Sequence, residues 1–241
     1  MKIQRKSLTQ LFVPICFETL FYMLSGMVDT LMLSSVSDQA VGAVGTANTY
    51  IGVFIIMFGV ISSGMVAVMT QNIGAGKPGV AYQARQLGLI FNAVVGVMMS
   101  IFLAVFSGKI LEIVSIAPAL FTPAETYLKI VGGACFLNAL IPIFSSYLRV
   151  FGYTRQSLFA SITGNIINFI LNSVFLFVMN WGVMGVAIAT VISRVINLIM
   201  VAAMGAVLVK AKNAPERESS RKILGQIQIL AGDILQLNIG Q

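Results

Sequence analysis

The chain has 241 residues, 58% of them hydrophobic and only 10% charged. A soluble domain carries roughly 25% charged residues, so the composition excludes an ordinary soluble globule and indicates a helical protein that crosses a membrane several times. The net charge of +7 does not point to nucleic acid, because the Lys and Arg residues sit in short loops between apolar runs.

Crossing a ~30 Å hydrocarbon core takes about 20 apolar residues. Six runs qualify: 8–36, 47–70, 87–107, 127–148, 157–179 and 184–209. The first follows a basic "MKIQRK" start but contains Glu18 and Asp29, and no small-residue cleavage site follows it. It is therefore expected to be a retained span and not a cleaved leader. Between the second and third runs, "GAGKPG" (Gly74 to Gly79) matches G-x-G-x-x-G letter for letter. A dinucleotide-binding loop needs a strand before it and a helix after it. Here a membrane helix precedes, and Pro78 is expected to disturb the helix start. Lys77 is followed by Pro, which excludes a phosphate loop of the G-x-x-x-x-G-K-[ST] kind. The expectation is a tight turn carrying a positive charge.

The stretch 108–126 is broken by Pro118 and Pro123 and is expected to lie in the membrane interface. After the sixth run, Ile223, Ile227, Leu230 and Ile234 share one face of a candidate amphipathic interfacial helix over 223–237. The expected organisation is all-α: a six-helix transmembrane unit over 1–210 and a cytoplasmic linker with that amphipathic helix over 211–241.

Orientation follows from Lys and Arg. Twelve of them (Lys2, Arg5, Lys6, Lys77, Arg85, Arg149, Arg155, Lys210, Lys212, Arg217, Arg221 and Lys222) fall on the side of the termini, against Lys109 and Lys129 on the other. Both termini are expected to be cytoplasmic, in a multi-pass protein of the cell membrane.

Polar residues inside the spans fall into stripes. Residues at i, i+4, i+7 and i+11 share a helix face. The first span carries Glu18, Tyr22, Ser25 and Asp29 at that spacing, and Pro14 extends the face. The fifth carries Ser161, Asn165, Asn168 and Asn172, and the sixth Thr190, Arg194 and Asn197 with Ser193 beside them. Lipid tails satisfy none of these groups, so the three faces are expected to turn inward. Asp29, Asn172 and Thr190 each lie roughly 10 Å inside their spans, at 1.5 Å per residue. A carboxylate, amide oxygens and a hydroxyl at one level can hold a proton or offer oxygen ligands to Na⁺. The bland alternative for the Asn stripe is interhelical glue. Glu18 lies in the cytoplasmic half, where water reaches it. Arg194 is read as a helix-to-helix partner rather than an anion site. With no His in the chain, and with Cys16 and Cys135 both in apolar runs, an intramembrane enzyme, a disulfide framework and a zinc site all lack their residues.

Five ordered blocks carry a family resemblance: "GMVDTLMLSSVSDQAVGAVGTAN" (Gly26 to Asn48), "MTQNIGAGK" (Met69 to Lys77), "LRVFGYTRQ" (Leu148 to Gln156), "NIINFILN" (Asn165 to Asn172) and "GVMGVAIATVISR" (Gly182 to Arg194). Over about residues 8–210 the chain resembles the N-terminal half of a multidrug and toxic compound extrusion (MATE) transporter. The resemblance implies one of two six-helix lobes of an antiporter that exchanges organic cations for Na⁺ or H⁺ by alternating access. It implies no cofactor beyond that coupling ion. It places the cation or proton site at Asp29, with Asn168, Asn172 and Thr190 at matching partner positions. Glu18, Tyr22, Ser25 and Asn165 then line the cavity. Some members carry Asp where this chain has Asn172, so a single carboxylate stands at the site and the coupling ion stays open. The implied partners are an organic cation, the bilayer, and a second lobe or second copy. A fragment, a truncated product and a half-transporter are all compatible with the sequence. The alternatives are a flippase for lipid-linked oligosaccharides and a non-transporting truncated subunit. The flippase would favour several cavity arginines, where here only Arg194 lies deep.

Overall fold

The computed structural model of the chain describes residues 8–209 and, within the first helix, not the side chains at 8–11, 18, 19 and 22–25. The linker and amphipathic helix expected over 211–241 lie outside the described residues. The described residues are helical apart from short turns, with no strand among them. In chain order they form α1 (Leu8–Ser34), α2 (Asp38–Gly74), α3 (Pro78–Ile113), α4 (Pro118–Tyr127), α5 (Cys135–Val150), α6 (Thr154–Ser173) and α7 (Gly182–Met204). Wide π-helical turns at Leu128–Gly132, Val174–Val178 and Gly205–Val209 extend α4, α6 and α7.

These elements make six rods, because α4 and α5 form one rod bent by 43°. Among the described residues four helical segments are long and apolar enough to cross a membrane, and the bent pair makes a fifth. At 27 residues, α1 is ~40 Å long at 1.5 Å per residue; its undescribed side chains leave it outside that count. The rods follow the six runs expected from sequence, but α2 and α3, at 37 and 36 residues, overrun the expected spans at their ends.

Two expectations are corrected. The stretch 108–126 is not one separate segment. Its first part completes α3, and its second part is α4, whose Ala124 and Tyr127 are buried in the bundle. Pro118 occupies the first turn of α4, where a missing N–H costs nothing. Pro78 likewise starts α3 instead of disturbing it. The "GAGKPG" stretch is the tight turn expected: Gly76 takes φ +71°, its N–H bonds to Ile73 O, and Lys77 N–H bonds to Asn72 O. This is a Schellman closure. It recurs after α5, with Gly152 at φ +84°, and after α3, where Ser115 takes the left-handed position at φ +52°.

The bundle is inside-out in its polarity. Val53, Ile56, Val60, Leu87 and Ile113 are exposed on its outer surface, as a lipid-facing side requires. Polar groups stitch the interior. Asn92 on α3 is fully buried and donates to Ala139 O on α5 at 3.0 Å and to Phe58 O on α2 at 3.4 Å. Ser62 on α2 bonds to Ser146 Oγ at 3.0 Å and to Pro142 O at 3.1 Å. At the bend, Ser100 Oγ accepts the Phe136 N–H at 2.8 Å. A Cβ at Gly96 would meet Ala139 Cβ at 2.7 Å, so α3 and α5 approach to the limit that glycine permits. A second group, α1, α6 and α7, leans on this frame.

Candidate functional site

Two hydrogen bonds fix α1 on α6. Asn165 Nδ2 donates to Phe21 O at 3.3 Å, and Asn172 Nδ2 donates to Asp29 Oδ1 at 2.6 Å. Both numbers rise together along the two chains, so α1 and α6 run parallel. Asn172 Nδ2 also reaches Asn168 Oδ1 at 3.3 Å. Asn172 is fully buried and Asn168 nearly so, while Asp29 is half-buried. One carboxylate thus caps a ladder of two amides a helical turn apart.

The α6–α7 register brings in the third stripe. A Cβ at Gly164 would meet Asn197, and one at Gly185 would meet Phe175. These helices are antiparallel, and Thr190 lies level with Asn172. Thr190 is buried, and its hydroxyl donates to Val186 O at 2.8 Å, leaving its lone pairs for other partners. Ser193 Oγ donates to Thr190 O at 2.9 Å. The three stripes therefore converge. The side chains of Glu18, Tyr22 and Ser25 lie outside the described residues.

Sequence reasoning missed Tyr127. Its side chain is buried beside Asn48 on α2 and Thr190 on α7. It stands at the start of the expected fourth span, 127–148, and belongs to none of the three polar stripes. Arg194, one turn from Thr190, acts electrostatically on Asp29, Tyr127 and Cys135. Among the described residues its Nη1 is buried with no hydrogen-bond partner, as is Asn172 Oδ1. A wide turn directly follows Tyr127, and another begins two residues after Asn172, a placement π-turns favour at functional sites.

Polar helix faces that bring Asp29, Arg194 and a ladder of amides together inside a bundle with an apolar outer surface are what a lobe of a membrane transporter presents. A MatE family model matches residues 14–174, more than half of the chain, and the chain belongs to that family, whose members are transporters. It is 33% identical to an uncharacterized transporter, YisQ, of Bacillus subtilis (strain 168), over 98% of this chain and 54% of that one. It is 29% identical to a probable multidrug resistance protein, NorM, of Thermotoga maritima, over 80% of this chain and 42% of that one. A solved MOP superfamily transporter from Pyrococcus furiosus shares the fold with a TM-score of 0.76 at 20% identity, over 83% of this chain and 44% of that one. The chain spans about half the length of the relatives it matches, as expected for the N-terminal half of such a protein.

Proposed function

We propose that the chain is one six-helix lobe of a cation-coupled antiporter that exports organic cations or drugs by alternating access, with H⁺ or Na⁺ as the coupling ion. Asp29 carries the coupling charge. Asn168, Asn172 and Thr190 surround the coupling ion, and Asn165 lines the cavity beside Glu18, Tyr22 and Ser25. The observation that carries this reading is the hydrogen bond from Asn172 Nδ2 to Asp29 Oδ1. An intramembrane carboxylate is costly and marks an ion pathway by default. Here its charge also holds one helix against another. Neutralising it weakens that bond, because a hydrogen bond to a charged acceptor is about twice as strong as a neutral one. Ion binding is thereby converted into a change in helix contact.

The two ions ask different things of the site. A proton on Asp29 needs no rearrangement of Asn172. Na⁺ needs oxygen ligands, so the Asn172 amide has to turn until Oδ1 faces the carboxylate. The relative's name, multidrug resistance protein, supports drug-like cargo. A single lobe cannot open to the two sides in turn, because alternating access rocks one bundle against another. The working unit therefore contains a second lobe or a second copy of this chain.

The test is ion-gradient-driven efflux from vesicles. Asp29→Asn should abolish it while membrane insertion stays normal. Undiminished gradient-driven transport by that variant sinks the proposal. Imposing a proton gradient without Na⁺, then a Na⁺ gradient at fixed pH, identifies the ion.

A further inference from the structure

Among the described residues Arg194 is a charge without an acid in contact. Among the described residues the one ion pair is Lys129 Nζ to Glu125 Oε1 at 2.8 Å, and Arg194 takes no part in it. Its Nη1 is buried and has no hydrogen-bond partner among them. Asp29 Oδ1 accepts from Asn172, and Oδ2 accepts nothing among the described residues. Among the described residues each of the two charged groups has a polar atom left without a partner.

Register puts them at neighbouring levels on two helices that touch, α1 and α7. Asp29 is level with Asn172, and Asn172 with Thr190. Arg194 stands one turn further along α7, an axial offset of about 6 Å at 1.5 Å per residue, and a helical side chain leans back toward the N-terminal turn that holds Thr190. Around Asp29 stand Asn172 from α6, Thr190 and Arg194 from α7, and Tyr127 from α4. Arg194 is the cation of that set. Guanidinium does not neutralise itself by losing its proton, so it stays available as a charge wherever the carboxylate goes.

We propose that Arg194 is the built-in counter-cation of Asp29: it pairs with the carboxylate when the coupling cation leaves and yields it when the cation returns. This rests on Asp29 being the coupling acid. The unloaded lobe then never carries a bare buried charge through its conformational change, and the incoming ion must displace a tethered rival. Arg194 is on this account a positioning residue for the coupling step and does not contact cargo.

A double-substitution cycle on the whole chain in lipid nanodiscs tests the pairing. Thermal midpoints are measured for the parent, Asp29→Asn, Arg194→Gln and the double variant. Arg194→Gln should lower the midpoint by about 2–4 °C in the parent and by nothing measurable beside Asp29→Asn. Arg194→Lys should recover part of the loss. Failure of Arg194→Gln to insert, rescued in the double variant, also reports pairing. Equal losses in both backgrounds, or failure of the double variant as well, overturn it. Competition is tested by repeating the cycle in high Na⁺ at neutral pH and in Na⁺-free buffer at low pH. The interaction between the two substitutions should vanish in one of these conditions; persistence in both overturns the competition. The coupling role of Asp29 is read separately, from gradient-driven transport by Asp29→Asn, so the two ideas can fail independently.

Discussion

Asn172 donates its Nδ2 proton to Asp29 Oδ1 at 2.6 Å, and it is the amide nitrogen, not the amide oxygen, that faces the carboxylate. The helix that carries the charge is thereby fastened to its neighbour by the charge itself. Asn172→Ala removes the fastener and keeps the charge. It should cost at most about 1.5–3 kcal/mol, the worth of a hydrogen bond to a charged group. Initial rates of gradient-driven efflux should fall, but by less than in Asp29→Asn. Equal loss in the two variants would show that Asn172 does more than support the carboxylate.

Gly96 marks the closest approach of α3 to α5. A Cβ there would lie 2.7 Å from Ala139 Cβ and 3.1 Å from the Phe136 backbone. Gly96→Val should therefore destabilise by about 1–3 kcal/mol, the range for overpacked interiors. It should show as a lowered thermal midpoint and poor yield in detergent. Gly59→Ala on α2 has open space around its new Cβ and serves as the control. It should be neutral or slightly stabilising, since alanine favours the helix by roughly 0.5–1 kcal/mol.

Ser115 occupies a left-handed position at the end of α3, with φ +52°. The two equivalent closures use Gly76 and Gly152. A side chain in that conformation costs roughly 1–2 kcal/mol. Ser115→Gly should raise the thermal midpoint, and an unchanged or lower midpoint would show that the serine side chain contributes there.

Both chain ends should face the cytoplasm. The basis is the distribution of Lys and Arg, twelve on the terminal side against two on the other. Reporter fusions after Lys6 and after Lys212 should each read cytoplasmic. An external reading at either end would break the expected even number of crossings.

How much of this was legible in the sequence depended on how each residue announced itself. Asp29, Asn168, Asn172 and Thr190 stood out because polar residues at helical spacing interrupt otherwise apolar cylinders. The structure brings these stripes together. Asn92 gave no such signal. It is the one amide in its run, and its bonds to α2 and α5 explain it. Tyr127, at the start of the expected fourth span, belongs to none of the three polar stripes, so spacing does not mark it. Spacing also gave the residue type at 172 without the direction of its amide. A pattern can place a side chain on a face, but its rotation is set by the neighbour it meets.

The bond between Asp29 and Asn172 joins residues 143 positions apart. Chains elongate at about 5–20 residues per second, so roughly 7–30 s separate the synthesis of the acid from that of its amide. Throughout that interval the first helix has left the ribosome while its hydrogen-bond donor does not yet exist. Release of this helix into lipid must wait, or water must follow the carboxylate in. Biogenesis of the lobe is therefore timed by its fifth rod, and a stalled chain lacking α6 should be held by the insertion machinery or cleared by quality control.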